Sequence, residues 1–169
     1  TDAAGILMRD AMIAAGLPGS YEAIVGLRRD PANYLGFVEV HIEQGPVLND
    51  ATLPLGIVTS INASVRFSGE VVGMAAHAGT TPMDRRRDAA AAVAEVILAT
   101  EERARQMPGV VATVGIVDVP DGSVNVVPGR CRFTLDLRAP LDGLRDAACA
   151  DLLREIAAIA DRRGVLCDV

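Results

Sequence analysis

From residue 56 onward the hydrophobic period switches between two residues and 3.6 in one fixed order, and few folds satisfy that order. Residues 56–74 (GIVTSINASVRFSGEVVGM) are β-rich, with Val65 and Phe67 alternating against Ser64, Arg66 and Ser68. Residues 75–83 (AAHAGTTPM) read as a loop and residues 84–106 as a long helix. Ala89, Val93, Val96, Ile97, Thr100 and Ala104 form its apolar stripe, Glu101 and Arg105 an i,i+4 pair, and Pro108-Gly109 its stop. Residues 110–119 (VVATVGIVDV) predict a strand and Pro120-Asp121-Gly122 a turn. Residues 123–138 predict a strand or a bent pair, with a corner at Pro128-Gly129. From Arg130 the alternation is strict: Arg130, Arg132, Thr134, Asp136 and Arg138 face one way, and Cys131, Phe133, Leu135 and Leu137 the other. Residues 142–163 predict a second long helix, striped by Leu152, Ile156, Ile159 and Ala160 and ending on Arg162-Arg163. Residues 165–169 begin a last strand. The order β-α-β-β-α-β predicts a ferredoxin-like α+β domain, an antiparallel sheet with two helices on one face.

The residues before this block read differently. Asp2 can cap a helix over 2–15 that Gly16 and Pro18 end, and 17–33 are loop-like. Residues 34–42 (YLGFVEVHI) predict a strand closed by Gln44-Gly45-Pro46. The boundary is expected within 50–58, which divides the chain into 1–55 and 56–169. Half of the residues are hydrophobic but only 3% aromatic, so the core must be built from Val, Ile, Leu and Ala. A net charge of −6, with every basic residue an arginine, argues against a general nucleic-acid binder. No apolar run approaches the ~18 residues of a membrane span. The start at Thr1, with no signal peptide, suggests a piece of a longer chain. Cys131, Cys149 and Cys167 are spaced too widely for a zinc knuckle; they read as small buried hydrophobes and suit a reducing cytoplasm.

Two histidines stand in unusual contexts. His41 ends the first predicted strand in H-I-E-Q-G-P, where it is either a metal ligand or a histidine satisfied by a backbone carbonyl. His77 lies uncrowded in A-A-H-A-G-T-T-P-M-D-R-R-R-D, ahead of a helix whose first turn would carry Arg85, Arg86 and Arg87. Cations there oppose the helix dipole, and Asp84 as cap and Asp88 offset part of that. The arginines either pair with Asp84, Asp88 or a neighbouring subunit, or face an anionic group. Arg138 ends a polar strand face and has the two parallel donors that bind a carboxylate; Asn125 stands ahead of the same strand. No phosphate loop and no G-x-S-x-G elbow occurs.

The stretches F-V-E-V-H-I-E-Q-G-P-V-L (37–48), H-A-G-T-T-P-M-D-R-R-R-D-A (77–89), A-T-V-G (112–115), N-V-V-P-G (125–129) and F-T-L-D-L-R (133–138) occur in this order. Together they resemble the N-carbamoyl-L-amino-acid hydrolase and allantoate amidohydrolase branch of the zinc aminoacylase/carboxypeptidase superfamily. That resemblance implies a metal-binding catalytic domain with a ferredoxin-like lid, and lids that pair into a homodimer. His41 would be one metal ligand, of zinc first and of Mn, Co or Ni otherwise, and Gln44 would contact substrate. His77 would be catalytic, touching the substrate or polarising its carbonyl across the dimer. Asn125 and Arg138 would hold the substrate, Arg138 by its carboxylate. The implied partners are a second copy and a small carboxylate-bearing molecule, with no nucleic acid or membrane. One departure narrows this. The upstream H-x-D, the E-E pair and the later His that would supply the other ligands and the general base are absent, and Glu101-Glu102 lies in mid-helix. The isolated chain is therefore expected to be inactive. Two alternatives remain: a dimerisation or interaction module only, or an aminoacylase or peptidase of the same superfamily.

Overall fold

The β-α-β-β-α-β order builds a sheet whose two central strands are the longest. In the computed structural model, which describes residues 1–169, β1 (Ala63–Val72), β3 (Val111–Asp118), β5 (Arg130–Ala139) and β6 (Leu166–Asp168) form one antiparallel sheet in the order β3-β5-β1-β6. Helices α4 (Ala89–Gln106) and α5 (Asp142–Arg163) supply the other layer. This is the ferredoxin-like arrangement that the hydrophobic periods predict.

The strict alternation of β5 decides which face is covered. Cys131, Phe133, Leu135 and Leu137 are buried, and they meet Val93 and Val96 of α4 and Leu152, Ile156 and Ile159 of α5 in one core that is aliphatic but for Phe133 and Cys131. Burying each large side chain in it contributes roughly 1.5–3 kcal/mol over leaving it in water. On α4, Ala92 joins the stripe and Ile97 stays at its exposed edge. Buried Thr100 donates its hydroxyl to the Val96 carbonyl at 2.7 Å, so it leaves no unpaired polar group. No helix is long and apolar enough to cross a membrane.

The start of α4 differs from the expectation. The helix begins at Ala89, and Asp88, not Asp84, is its cap, accepting from the Ala91 N–H at 3.0 Å. The preceding backbone is used elsewhere. The Arg87 carbonyl accepts from the Met74 N–H at 2.8 Å, and the Arg86 guanidinium donates to the carbonyls of Ala78 and Thr81. Arg85, Arg86 and Arg87 therefore lie outside the helix and do not oppose its dipole.

The chain clusters into two compact units, Thr1–Gly56 and Ile57–Val169. In the first, the predicted helix is shorter, α1 (Met8–Ala14), and Asp2 ties a turn instead of capping it, accepting from the N–H groups of Ala4 and Ile6. The segment expected to be loop contains α2 (Tyr21–Gly26), capped by Ser20, and a three-residue 3₁₀ turn, Pro31–Asn33. The strand predicted over 34–42 does not form: no segment of the chain pairs with it. Phe37, Val38 and Val40 are 85%, 91% and 93% exposed, so side chains that point both ways stay uncovered. A short helix, α3 (Val47–Asp50), follows.

Candidate functional site

Beyond Val72 and before Arg130 the two central strands continue past a bend as a short ribbon, β2 (Ala76–His77) paired with β4 (Val126–Val127). Two glycines make the bend possible. A Cβ on Gly73 would lie 2.0 Å from the Arg87 carbonyl oxygen, and one on Gly129 would lie 2.8 Å from the Ala75 nitrogen. The ribbon sets His77 opposite Val126, and the Ala78 N–H donates to the Asn125 carbonyl at 2.8 Å. Thus two of the expected site residues, 48 positions apart in sequence, become neighbours.

Both side chains have one polar atom already committed. The Gly79 N–H donates to His77 Nδ1 at 3.1 Å. An N–H can only donate, so Nδ1 carries the lone pair and neutral His77 presents Nε2–H as a donor. The Ser123 hydroxyl donates to Asn125 Oδ1 at 2.9 Å, which leaves the Asn125 amide N–H groups free. The exposed ends of His77 and Asn125 are therefore hydrogen-bond donors, suited to an oxygen that gains negative charge.

Arg138 lies at the far end of β5. From Arg130, beside the ribbon, to Arg138 is roughly 26 Å at the ~3.3 Å rise of a strand. The fold therefore brings His77 and Asn125 together and keeps Arg138 apart from them. On the sheet face opposite the helices, Arg138 donates from Nε and Nη2 to the two oxygens of Asp136, each at 2.8 Å. Arg66, cross-strand neighbour of Asp136, donates Nε to the same carboxylate at 2.9 Å. The Arg138 hydrogen bond first, and then Arg66, hold the Asp136 carboxyl well below the usual carboxylate range. The arginines border a shallow concavity of about 700 Å³ whose floor includes Ser68, Thr113 and Gly115.

His41 and Gln44 lie in the first unit. His41 Nδ1 donates to the Ile42 carbonyl at 2.5 Å, so its Nε2 carries the lone pair. The carbonyl satisfies one ring nitrogen, as in the reading that has His41 held by the backbone, and the other nitrogen keeps its lone pair. Gln44 sits at φ 54°, in a tight turn where the Glu43 carboxylate accepts from the Leu48 N–H. No three His, Cys, Asp or Glu side chains converge on one point, so the residues present do not by themselves fit a metal ion. The cysteines are free, and burial pushes each thiol pKa up. The sequence reading missed Gly79, Ser123, Asp136 and Arg66. The signal for Asp136 was present, because a residue two before Arg138 on a strand shares its face.

Residues 59–165 match the model of the peptidase dimerisation domain family. The chain is 42% identical to an N-carbamoyl-L-amino acid amidohydrolase of Geobacillus stearothermophilus over 97% of its own length and 40% of that protein's. It is 35% identical to an allantoate deiminase of Arabidopsis thaliana over all of its length and 36% of that protein's. It is also similar to the crystal structure of a hydantoinase/carbamoylase family amidase from Burkholderia ambifaria, with a TM-score of 0.77 at 35% identity, covering 99% of this chain and 40% of that one. The chain thus spans about two fifths of the length of these relatives.

Proposed function

Because the chain belongs to the peptidase dimerisation domain family, we propose that it is the lid and dimerisation part of a metal-dependent amidohydrolase that cleaves a ureido C–N bond, as in N-carbamoyl-L-amino acids or allantoate. The observation that carries this reading is the donor pair at the ribbon. His77 Nε2–H and the Asn125 amide are neutral donors, each fixed from behind by a hydrogen bond, and neither is a base. Such a pair polarises a carbonyl and stabilises the oxyanion formed when hydroxide attacks it. It needs no reorganisation at the moment of reaction.

The separation of Arg138 from this pair supports a homodimer. A small substrate cannot span roughly 26 Å of strand, so one copy cannot supply both the ribbon donors and Arg138 to one molecule. Two copies can: His77 and Asn125 of one would meet a substrate whose carboxylate rests on Arg138 of the other. Gln44 would contact the substrate. A divalent metal, zinc foremost, would supply a nucleophilic hydroxide when bound. Among the residues of this chain only His41 is offered to it, through Nε2, and no step here runs through it.

The test uses the full natural protein that contains these residues, assayed on N-carbamoyl amino acids, allantoate and dipeptides. His77→Ala or Arg138→Ala is expected to lower kcat/KM at least ~10-fold, the loss typical of a transition-state donor or substrate clamp, while sedimentation still shows self-association. Unchanged turnover would remove both residues from catalysis. One observation favours a second reading, a dimerisation module alone: no metal-ligand cluster forms within the chain. Under that reading both variants leave turnover intact. Hydrolysis of dipeptides alone would place the activity among the peptidases.

A further inference from the structure

A guanidinium has two edges that can grip a carboxylate. The side-on edge is Nε–H with the nearer N–H of Nη2. The end-on edge is Nη1 with the outer N–H of Nη2. In this fold Asp136 occupies the side-on edge of Arg138 completely, with one oxygen on Nε and the other on Nη2, both at 2.8 Å. We infer that Asp136 is the positioning residue for Arg138: it grips the side-on edge and leaves the end-on edge for the substrate's carboxylate. The inference rests on the reading of Arg138 as the carboxylate clamp and adds the residue that makes it one.

An acidic neighbour would ordinarily repel an acidic ligand. Here a second cation offsets it. Arg66 and Arg138 share the one Asp136 carboxylate, so the cluster keeps a net positive charge. The next charges along the same face, Glu70 and Arg132, are paired with each other across the strands and neutralise one another. The strand register enforces the grouping. Asp136 and Arg138 are two apart on β5 and share a face, and Arg66 is the direct partner of Asp136 on β1. From β3, Val111 lies opposite Arg138, Thr113 opposite Asp136 and Gly115 further on, none of them a long side chain. They leave the concavity open for a ligand. A long side chain held in place before the ligand arrives does not have to lose its rotamer freedom on binding, and that is what a positioning residue contributes.

In the full natural protein, the readout is KM for an N-carbamoyl amino acid against KM for its carboxamide. Asp136→Asn is expected to raise KM for the carboxylate about 10-fold, with kcat within about twofold and the carboxamide unaffected, the pattern of lost binding through one charge-assisted contact. Arg138→Ala is expected to discriminate the two substrates in the same direction. If Arg138→Ala discriminates and Asp136→Asn does not, the positioning role is overturned and the clamp stands. If neither discriminates, the clamp itself fails and the positioning role with it. A second measurement needs neither turnover nor a variant. In the ¹⁵N spectrum of the 169-residue chain, the Arg138 Nε–H should exchange with water at least ~10-fold more slowly than that of the exposed Arg130. Equal exchange rates would overturn the proposal whatever the kinetics show.

Discussion

Glu95 shows how single residues hold the two-helix layer. Its carboxylate accepts from Arg163 Nε at 2.8 Å and from Arg162 Nη2 at 2.5 Å, so α4 binds the last turn of α5. The arginines at the end of α5, expected to serve the helix dipole, are thus also a tie between helices. Hydrogen bonds from Arg163 first and Arg162 next lower the Glu95 pKa from its ordinary 4.5. A carboxyl whose pKa falls on folding gives stability that is complete above the unfolded value and is lost as pH drops through the folded value. Glu95→Gln is therefore expected to cost about 1 kcal/mol at pH 7, the scale of a partly exposed ion-pair network. That deficit should begin to shrink once the pH passes below 4.5. Urea unfolding of both proteins at pH 7 and pH 3 checks this. An equal deficit at both pH values would mean that packing, and not the ion pair, carries the effect.

Among the elements, the β2–β4 ribbon is the one that converts fold into site, and it hangs on the close approach at Gly73. A methyl group there would lie 2.0 Å from the Arg87 carbonyl oxygen, the same oxygen that accepts from Met74 N–H. Gly73→Ala must therefore push apart the ribbon and the segment leading into α4. The expected cost is about 2–3 kcal/mol, the range of overpacking at a site that cannot relax cheaply. The His77 and Ala78 amide resonances should shift with it, while those of Val111–Val114 in β3, at the far end of the sheet, stay. A variant with the stability and spectrum of the parent would show that the bend tolerates a side chain. This element also marks how far a sequence can be read. The ferredoxin-like order, the inward face of β5 and the full extent of α5 follow from periodicity, because burial on one side writes a period into the chain. Residues 75–83 read as loop, because a two-residue ribbon has no period to detect. The start of α4 was misplaced because the Arg87 carbonyl just before it accepts from the Met74 N–H, a long-range bond that no local propensity records. His77 and Asn125 could be singled out from their motifs, but their adjacency is a product of long-range pairing.

The whole molecule divides its stabilising contacts very unevenly. Every buried residue belongs to Ile57–Val169, and none of Thr1–Gly56 is buried. The first unit is held by turns, short helices and local hydrogen bonds, which do not outweigh the ~1–2 kcal/mol per residue of backbone entropy that ordering costs. Its apolar extended stretch, 34–42, has the composition of a strand covered on both faces and finds no cover within the chain. This explains why a strong strand pattern yields no strand: β structure needs a neighbour as well as a propensity. The same argument predicts the outcome of cutting the chain. A protein of residues 57–169 is expected to keep the cooperative unfolding of all 169 residues, with Tm within about 5 °C, since a change under ~1 kcal/mol moves a domain of this size by that much. Residues 1–56 alone should show no cooperative transition. Hydrogen exchange on the 169-residue chain should find slow amides in β1, β5, α4 and α5 and near-unprotected ones before Ile57. A Tm drop of 15 °C or more in the shorter protein, or strong protection within 34–42, would show that the first unit takes part in the cooperative core.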